Sequence, residues 1–309
     1  MSVKILVISS NLIGDTILST GVIRFFNKQN PAAKFTFIIG PSARPIFKNF
    51  KSAEKIISIT KKKYNLHWAE IIYNCSGIKW DIVVDFRSSL LSYFLRHNKK
   101  FIFKKKNNIN HVQQLTDYFG FDCSELFIDT NVEENQKVTK NISENFNYFV
   151  IFPGGNWKPK IWSVCKYNML MTKILSKNKN IKFILVGSKL EEKLYNKEIT
   201  KNIDSKHILN LFGSSLTQTA AYMKKSKLFI GNDSGLSHMA SATRLKSIVL
   251  FGPTNDKIYG PNLVDSHIVR TDETYEYFKN INIDKTKSYM DSISVDKIYN
   301  ILQKNKYCE

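Results

Sequence analysis

Along this chain, short runs of aliphatic and β-branched residues alternate with segments whose apolar positions recur every three to four residues. The first kind reads as strands buried on both faces and the second as helices laid over them. Their alternation predicts parallel sheets built from βαβ units. Strands are expected at 4–8, 34–39, 55–59, 81–86 and 100–103 in the first half, and at 148–152, 181–186, 207–211, 227–230, 247–251 and 267–270 in the second. The helix after the first strand carries its apolar stripe at Ile17, Leu18, Gly21, Val22, Phe25 and Phe26, and Tyr167, Leu170, Met171, Ile174 and Leu175 repeat the pattern in the second half. Residues 131–147 are rich in Asn, Glu and Lys and lack a continuous apolar face, so the interdomain linker is expected there. The 309 residues suffice for two domains of about 150 each. The expected fold class is therefore α/β: two Rossmann-like domains, 1–145 and 146–290, whose parallel sheets face each other across a cleft.

Composition changes this picture little. Hydrophobic residues make up 43% and charged residues 23%, which excludes wholesale disorder. The net charge is +20, but only six of the 46 cations are arginine and asparagine occurs 29 times. That is the skew of an AT-rich coding sequence, so part of the charge is compositional. The remainder suits an anionic partner such as a phosphorylated glycolipid, membrane headgroups or nucleic acid. Cys75, Cys123, Cys165 and Cys308 form no C-x-x-C and no zinc-like spacing, and read as free thiols of a reducing compartment. Ile5-Leu6-Val7-Ile8 is too short for a secretory segment, and no apolar run approaches the ~18 residues of a membrane span. A soluble, cytoplasmic protein is expected.

Open parallel sheets bind ligands beyond the carboxyl ends of their strands, and three post-strand loops are unusual. Ser9-Ser10-Asn11-Leu12-Ile13-Gly14-Asp15-Thr16 lacks G-x-G-x-x-G, which argues against a dinucleotide site, but sets Asp15 at a helix start. Asp15 there either caps the helix or serves as a general base. Phe152-Pro153-Gly154-Gly155-Asn156-Trp157-Lys158-Pro159-Lys160-Ile161-Trp162 joins glycines, which let a ligand approach the backbone, to lysines and an amide that suit a phosphate. The alternative makes these glycines turn residues, the lysines surface charges and Trp162 a core aromatic. Gly231-Asn232-Asp233-Ser234-Gly235 opens a helix whose N-terminal amides suit a diphosphate. Capping by Asp233 or Ser234 is compatible with that role, and His238 on this helix is otherwise a packed residue.

Together these loops resemble glycosyltransferase family 9, the bacterial heptosyltransferases of lipopolysaccharide core assembly. The resemblance rests on Lys4-Ile5-Leu6-Val7 with Gly14-Asp15 and Thr20, on Pro153-Gly154 with Lys160-x-Trp162, and on Gly231-Asn232-Asp233-Ser234-Gly235 with His238, Ala240 and Phe251-Gly252-Pro253-Thr254, in the family's order along the whole chain. It implies a GT-B fold with an N-terminal acceptor domain, a C-terminal nucleotide-sugar domain, and a last helix, near 293–302 within 291–309, packing back on the first domain. It implies transfer of heptose from an ADP-activated donor with inversion and without a metal or other cofactor. The chain contains no Asp-x-Asp to hold a divalent ion against a diphosphate. By the same resemblance Asp15 is the catalytic base, with Gly14 beside it at the acceptor. Gly155, Asn156, Lys160, Ser234 and Gly235 contact the donor diphosphate, Asp233 the sugar, Glu191 the ribose and Ser214 the adenine, and His238 also belongs to the donor site.

The implied partners are ADP-heptose and a phosphorylated glycolipid acceptor, Kdo-lipid A or core oligosaccharide, at the inner face of the cytoplasmic membrane. Lys61-Lys62-Lys63 and Lys104-Lys105-Lys106 match no particular acceptor contact and read as solvated loops. Two other readings compete: a GT-B transferase or epimerase-like relative using another nucleotide sugar, and a non-catalytic cationic binder of nucleic acid or anionic surfaces. No RNA-binding signature or helix-turn-helix supports the last, so nucleic acid is not an expected partner.

Overall fold

The computed structural model describes residues 2–60, 67–106, 108–261, 263 and 265–309. They fall into two compact units, Met1–Asp129 and Thr130–Glu309.

The first unit is a five-stranded parallel sheet of β1 (Lys4–Ile8), β2 (Lys34–Ile39), β3 (Ala53–Ser58), β4 (Trp80–Asp85) and β5 (His97–Ile102), in the order β3-β2-β1-β4-β5. Its helices are α1 (Ile13–Leu18), α2 (Thr20–Gln29), α3 (His67–Cys75) and α4 (His111–Phe119). Both faces of β1 are buried, as a doubly wound sheet requires. Leu6 and Ile8 join a core with Ile38, Val83, Trp80 and Ile71, while Ile5 and Val7 are equally buried. The single helix expected after β1 is two helices hinged at Ser19, whose hydroxyl donates to the Thr16 carbonyl at 2.8 Å. The stripe nonetheless spans the break, because Ile17, Leu18, Val22 and Phe26 are all buried. Gly21 lies where a Cβ would come within 1.9 Å of the Cys123 carbonyl oxygen, so a glycine is needed for α2 to pass that strand of chain. Thr20 is a packing residue: its hydroxyl accepts from the Phe127 amide at 3.0 Å.

The second unit holds a six-stranded parallel sheet: β6 (Asn147–Phe152), β7 (Ile181–Leu185), β8 (Ile208–Asn210), β9 (Leu228–Asn232), β10 (Ser247–Phe251) and β11 (His267–Arg270), ordered β11-β10-β9-β6-β7-β8. Around it lie α5 (Val132–Asn141), α6 (Val164–Lys177), α7 (Lys189–Ile199), α8 (Leu216–Met223), α9 (Gly235–Ala242), α10 (Asp256–Tyr259), α11 (Tyr275–Lys279) and α12 (Val295–Lys304). All eleven expected strands are present, with ends displaced by at most three residues.

The expected boundary is displaced. The boundary falls after Asp129 rather than at 145, because 131–147 is not a linker. Asn131 and Glu134 form a reciprocal capping box that starts α5, Val138 is buried, and Asn141 donates to the Tyr222 hydroxyl at 2.7 Å. A helix anchored by one apolar residue and several polar bonds has no apolar stripe to read. In the last helix, Ile298, Tyr299 and Leu302 of α12 enter the core that contains Leu170 and Ile174 of α6. No described helix is long and apolar enough to cross a membrane.

Candidate functional site

In the second unit, the segments after β6, β7, β8 and β9 carry the residues expected to bind a donor, and one buried amide organises the first and last of them. Asn232, the last residue of β9, is wholly buried and uses its full hydrogen-bonding capacity. Its Nδ2 donates to the carbonyls of Pro153 and Gly154 at 3.2 and 2.9 Å. Its Oδ1 accepts from the Trp162 amide and the Tyr167 hydroxyl, each at 3.1 Å. Burial holds the Tyr167 pKa well above its usual value, which keeps that hydroxyl a donor. One side chain thus ties β9 to both ends of the glycine-rich loop and to α6. The sequence displayed Asn232 within a motif but not this function, because its partners lie 65 to 79 positions away.

Lys160 closes a short 3-10 turn, Lys158–Lys160, and the segment around it is stitched to the chain before α12: the Tyr289 amide donates to the Pro159 carbonyl at 3.0 Å and the Trp162 indole to that of Ile293 at 2.9 Å. The turn delivers the Lys160 ammonium to 3.4 Å from the Asp233 carboxylate, with side chains only 13% and 6% exposed. The pair sits directly before α9. There the Ser234 hydroxyl accepts from the Leu236 amide at 3.2 Å, and Ser237 Oγ donates to the Ser234 carbonyl at 2.7 Å. Ser234 and not Asp233 is therefore the cap, and Asp233 is left to its lysine. Gly235 opens the helix half-buried. His238 is buried on it, with its ring 6.2 Å from that of Tyr259.

Glu191 has a second occupation. Its Oε2 accepts from the amide and hydroxyl of Ser188 at 2.7 and 2.8 Å, completing the capping box of α7, and its Oε1 accepts from the Gly155 amide at 2.8 Å. It clamps the loop after β6 to the loop after β7 and keeps a lone pair of Oε1 for a ligand. A Cβ at Gly154 would lie 1.8 Å from Glu191 Oε1. Gly154→Ala is therefore expected to push the carboxylate off the Gly155 amide and to destabilise the protein by about 1–3 kcal/mol. Thermal unfolding checks this, and an unchanged melting temperature would refute the clamp. Asn156 and Lys158 are exposed at the tip of the same loop, and Ser214 is half-buried after β8. The loop after β10 is held by Arg270, which donates to the carbonyls of Gly252 and Thr254 and pairs with Asp256 at 2.6 Å.

In the first unit, Asp15 lies in the first turn of α1 beside Gly14, half-buried. It does not spend its carboxylate on the helix end. The capping position is Leu12, which supplies no side-chain bond. Instead Oδ2 accepts from the Ser10 hydroxyl at 3.4 Å and Oδ1 lies 3.5 Å from the Lys105 ammonium. One member of the second lysine run is thus brought onto the candidate base, a contact that composition does not reveal. Lys61-Lys62-Lys63 lies outside the described residues. Nearby, the wholly buried Asp85 at the end of β4 accepts from the amides of Arg87 and Ser89 and from the Ser89 hydroxyl at 2.7–2.9 Å. Burial raises its pKa, and these bonds oppose the rise. The loop that it folds, Arg87-Ser88-Ser89, rims a cavity of about 290 Å³ floored by Ile8, Ile38 and Ile59. Among the described residues, no three His, Cys, Asp or Glu side chains group as a metal site would.

A family model described as glycosyltransferase family 9 (heptosyltransferase) matches residues 74–289. A lipopolysaccharide heptosyltransferase 1 from Campylobacter coli is 25% identical over 290 residues, covering 81% of this chain and 84% of that protein. Among solved structures, a glycosyl transferase family 9 protein from Veillonella parvula superposes with a TM-score of 0.77 at 18% identity, covering 97% of this chain and 96% of its own. The Escherichia coli heptosyltransferase WaaC with ADP gives 0.75 at 14% identity, covering 98% and 99%. At these identities the structural likeness is one of fold, the GT-B fold.

Proposed function

The chain belongs to glycosyltransferase family 9, and from that membership we propose that it moves a heptose from ADP-heptose to a lipopolysaccharide inner-core or related envelope glycan acceptor, with inversion and without a metal. In this reading the Asp15 carboxylate takes the proton of the acceptor hydroxyl as its oxygen bonds to the anomeric carbon. The bond from that carbon to the diphosphate breaks on the opposite face, and its electron pair leaves with ADP. Attack from the side opposite the leaving group is what inverts the centre.

The observation that carries the reading is the Lys160–Asp233 pair at the mouth of α9. A largely buried ammonium, a helix N-terminus and a glycine-rich loop together suit a diphosphate whose charge grows as the sugar departs. An arriving diphosphate competes with Asp233 for Lys160, and a displaced Asp233 can accept from sugar hydroxyls, the role the family resemblance gives it. Ser234, Gly235, Gly155 and Asn156 serve the phosphates, Glu191 the ribose and Ser214 the adenine. His238 supports α9 from within. The absence of Asp-x-Asp from the sequence agrees with a lysine taking the place of a cation. A Kdo-bearing phosphorylated lipid A at the inner membrane face is the acceptor that the family and the basic composition favour.

The experiment is thermal unfolding in EDTA with ADP, UDP, GDP, CDP or dTDP added. Binding to the native state alone stabilises it by about 2.7 kcal/mol at a hundred times Kd. ADP is expected to stabilise selectively, and Lys160→Ala to weaken ADP about 10- to 100-fold by removing a charge-assisted bond. Preference for another nucleotide would replace the donor while keeping the fold. No stabilisation by any of them would defeat the donor site altogether.

A further inference from the structure

Lys105 reaches Asp15 because two buried anchors leave its stretch of backbone little choice. On one side Phe103 is buried, its amide donates to the Asp85 carbonyl at 2.9 Å, and its own carbonyl accepts from the Ser88 hydroxyl at 2.7 Å. On the other side Gln114, buried on α4, satisfies both backbone groups of Lys106: Oε1 accepts from its amide at 2.6 Å and Nε2 donates to its carbonyl at 3.0 Å. Only Lys104 and Lys105 lie between these fixed points. Both are exposed, and Lys105 places its ammonium 3.5 Å from Asp15 Oδ1. Ser10 approaches the other oxygen, Oδ2. The carboxylate is therefore held from two sides, which sets its rotation about the Cβ–Cγ bond.

We propose that Lys105 is a positioning residue for the transfer reaction, acting through Asp15. The inference rests on the reading of Asp15 as the base. With side chains 35% and 28% exposed the pair is screened by water, so its direct attraction contributes little. Loss of alignment of a reacting group by about 1 Å costs on the order of 100-fold. Alignment is therefore what the lysine contributes, and its presence is a gain for turnover.

The test measures kcat, and KM for ADP-heptose and Kdo-lipid A, for Lys105→Met and Lys105→Arg, each made in the unsubstituted and the Asp15→Asn enzyme. ADP affinity from thermal shift serves as the control for folding. Lys105→Met is expected to lower kcat about tenfold or more with both KM values and ADP affinity unchanged, and Lys105→Arg to recover most of the loss. In the Asp15→Asn enzyme, Lys105→Met should cost nothing further, since residues acting as one unit are not additive. A loss expressed as a raised acceptor KM at unchanged kcat would make Lys105 an acceptor contact and overturn the proposal. So would an equal loss in both backgrounds. Full turnover by Asp15→Asn alone, or no transfer by the unsubstituted enzyme, would overturn the function on which the proposal stands, a result distinct from additivity.

Discussion

Asp15→Asn is expected to lower turnover about 10²- to 10⁴-fold, the range over which a positioned proton acceptor accelerates its step. The substitution is nearly isosteric. The amide oxygen can still accept from Ser10 or face Lys105, the two partners of the carboxylate, so the local structure should persist. What is lost is the capacity to take a proton. Because the proposed donor loops belong to the other compact unit, ADP affinity should be unchanged. Steady-state kinetics with ADP-heptose, alongside nucleotide-induced stabilisation, separates these two outcomes. A kcat within about threefold of the unsubstituted enzyme lies below the smallest contribution of general base catalysis and would remove Asp15 from that role.

The largest effect on stability is expected at Asn232. Asn232→Asp keeps the shape and the acceptor facing the Trp162 amide and Tyr167 hydroxyl, but turns the Nδ2 donor into an oxygen aimed at the carbonyls of Pro153 and Gly154. Two buried carbonyls lose their donor and a buried carboxylate gains none. Each unsatisfied group costs about 1–3 kcal/mol and a charged one more, so a total of about 3–5 kcal/mol is expected. For a unit of this size that lowers the melting temperature on the order of 10 °C. Calorimetry decides it. A fall of less than about 2 °C would mean that the loop after β6 does not depend on the amide. Nucleotide binding should weaken with it, since the same carbonyls belong to the loop that the donor diphosphate is proposed to approach.

Most of the scaffold was legible because its signals are local. Alternating apolar runs place every strand within a few residues, since a parallel strand must be apolar on both faces and nothing else in so short a stretch looks alike. The helix α5 was not legible. It buries Val138 and otherwise depends on Glu134 bonding to Thr217 and on Asn141 bonding to Tyr222, contacts between residues about 80 positions apart. The final helix shows the same limit from the other side. Its apolar positions announce a helix, but which core receives them is decided by complementarity with α6, where Lys173 also pairs with Asp296.

By itself, the sequence determined the α/β class, the alternation of strand and helix, the three loops worth reading and the family to which they belong. Each depends on residues close along the chain, or on motifs whose order along it is preserved. Only the tertiary structure decided how the polar side chains in those loops are employed. It set Lys160 against Asp233, divided Glu191 between a helix cap and the Gly155 amide, spent Asn232 on four distant groups, and singled out Lys105 from three adjacent lysines. The physical reason is that a lysine or an amide looks alike in sequence wherever it stands. Its role comes from the polar partner that it touches, and folding alone chooses that partner.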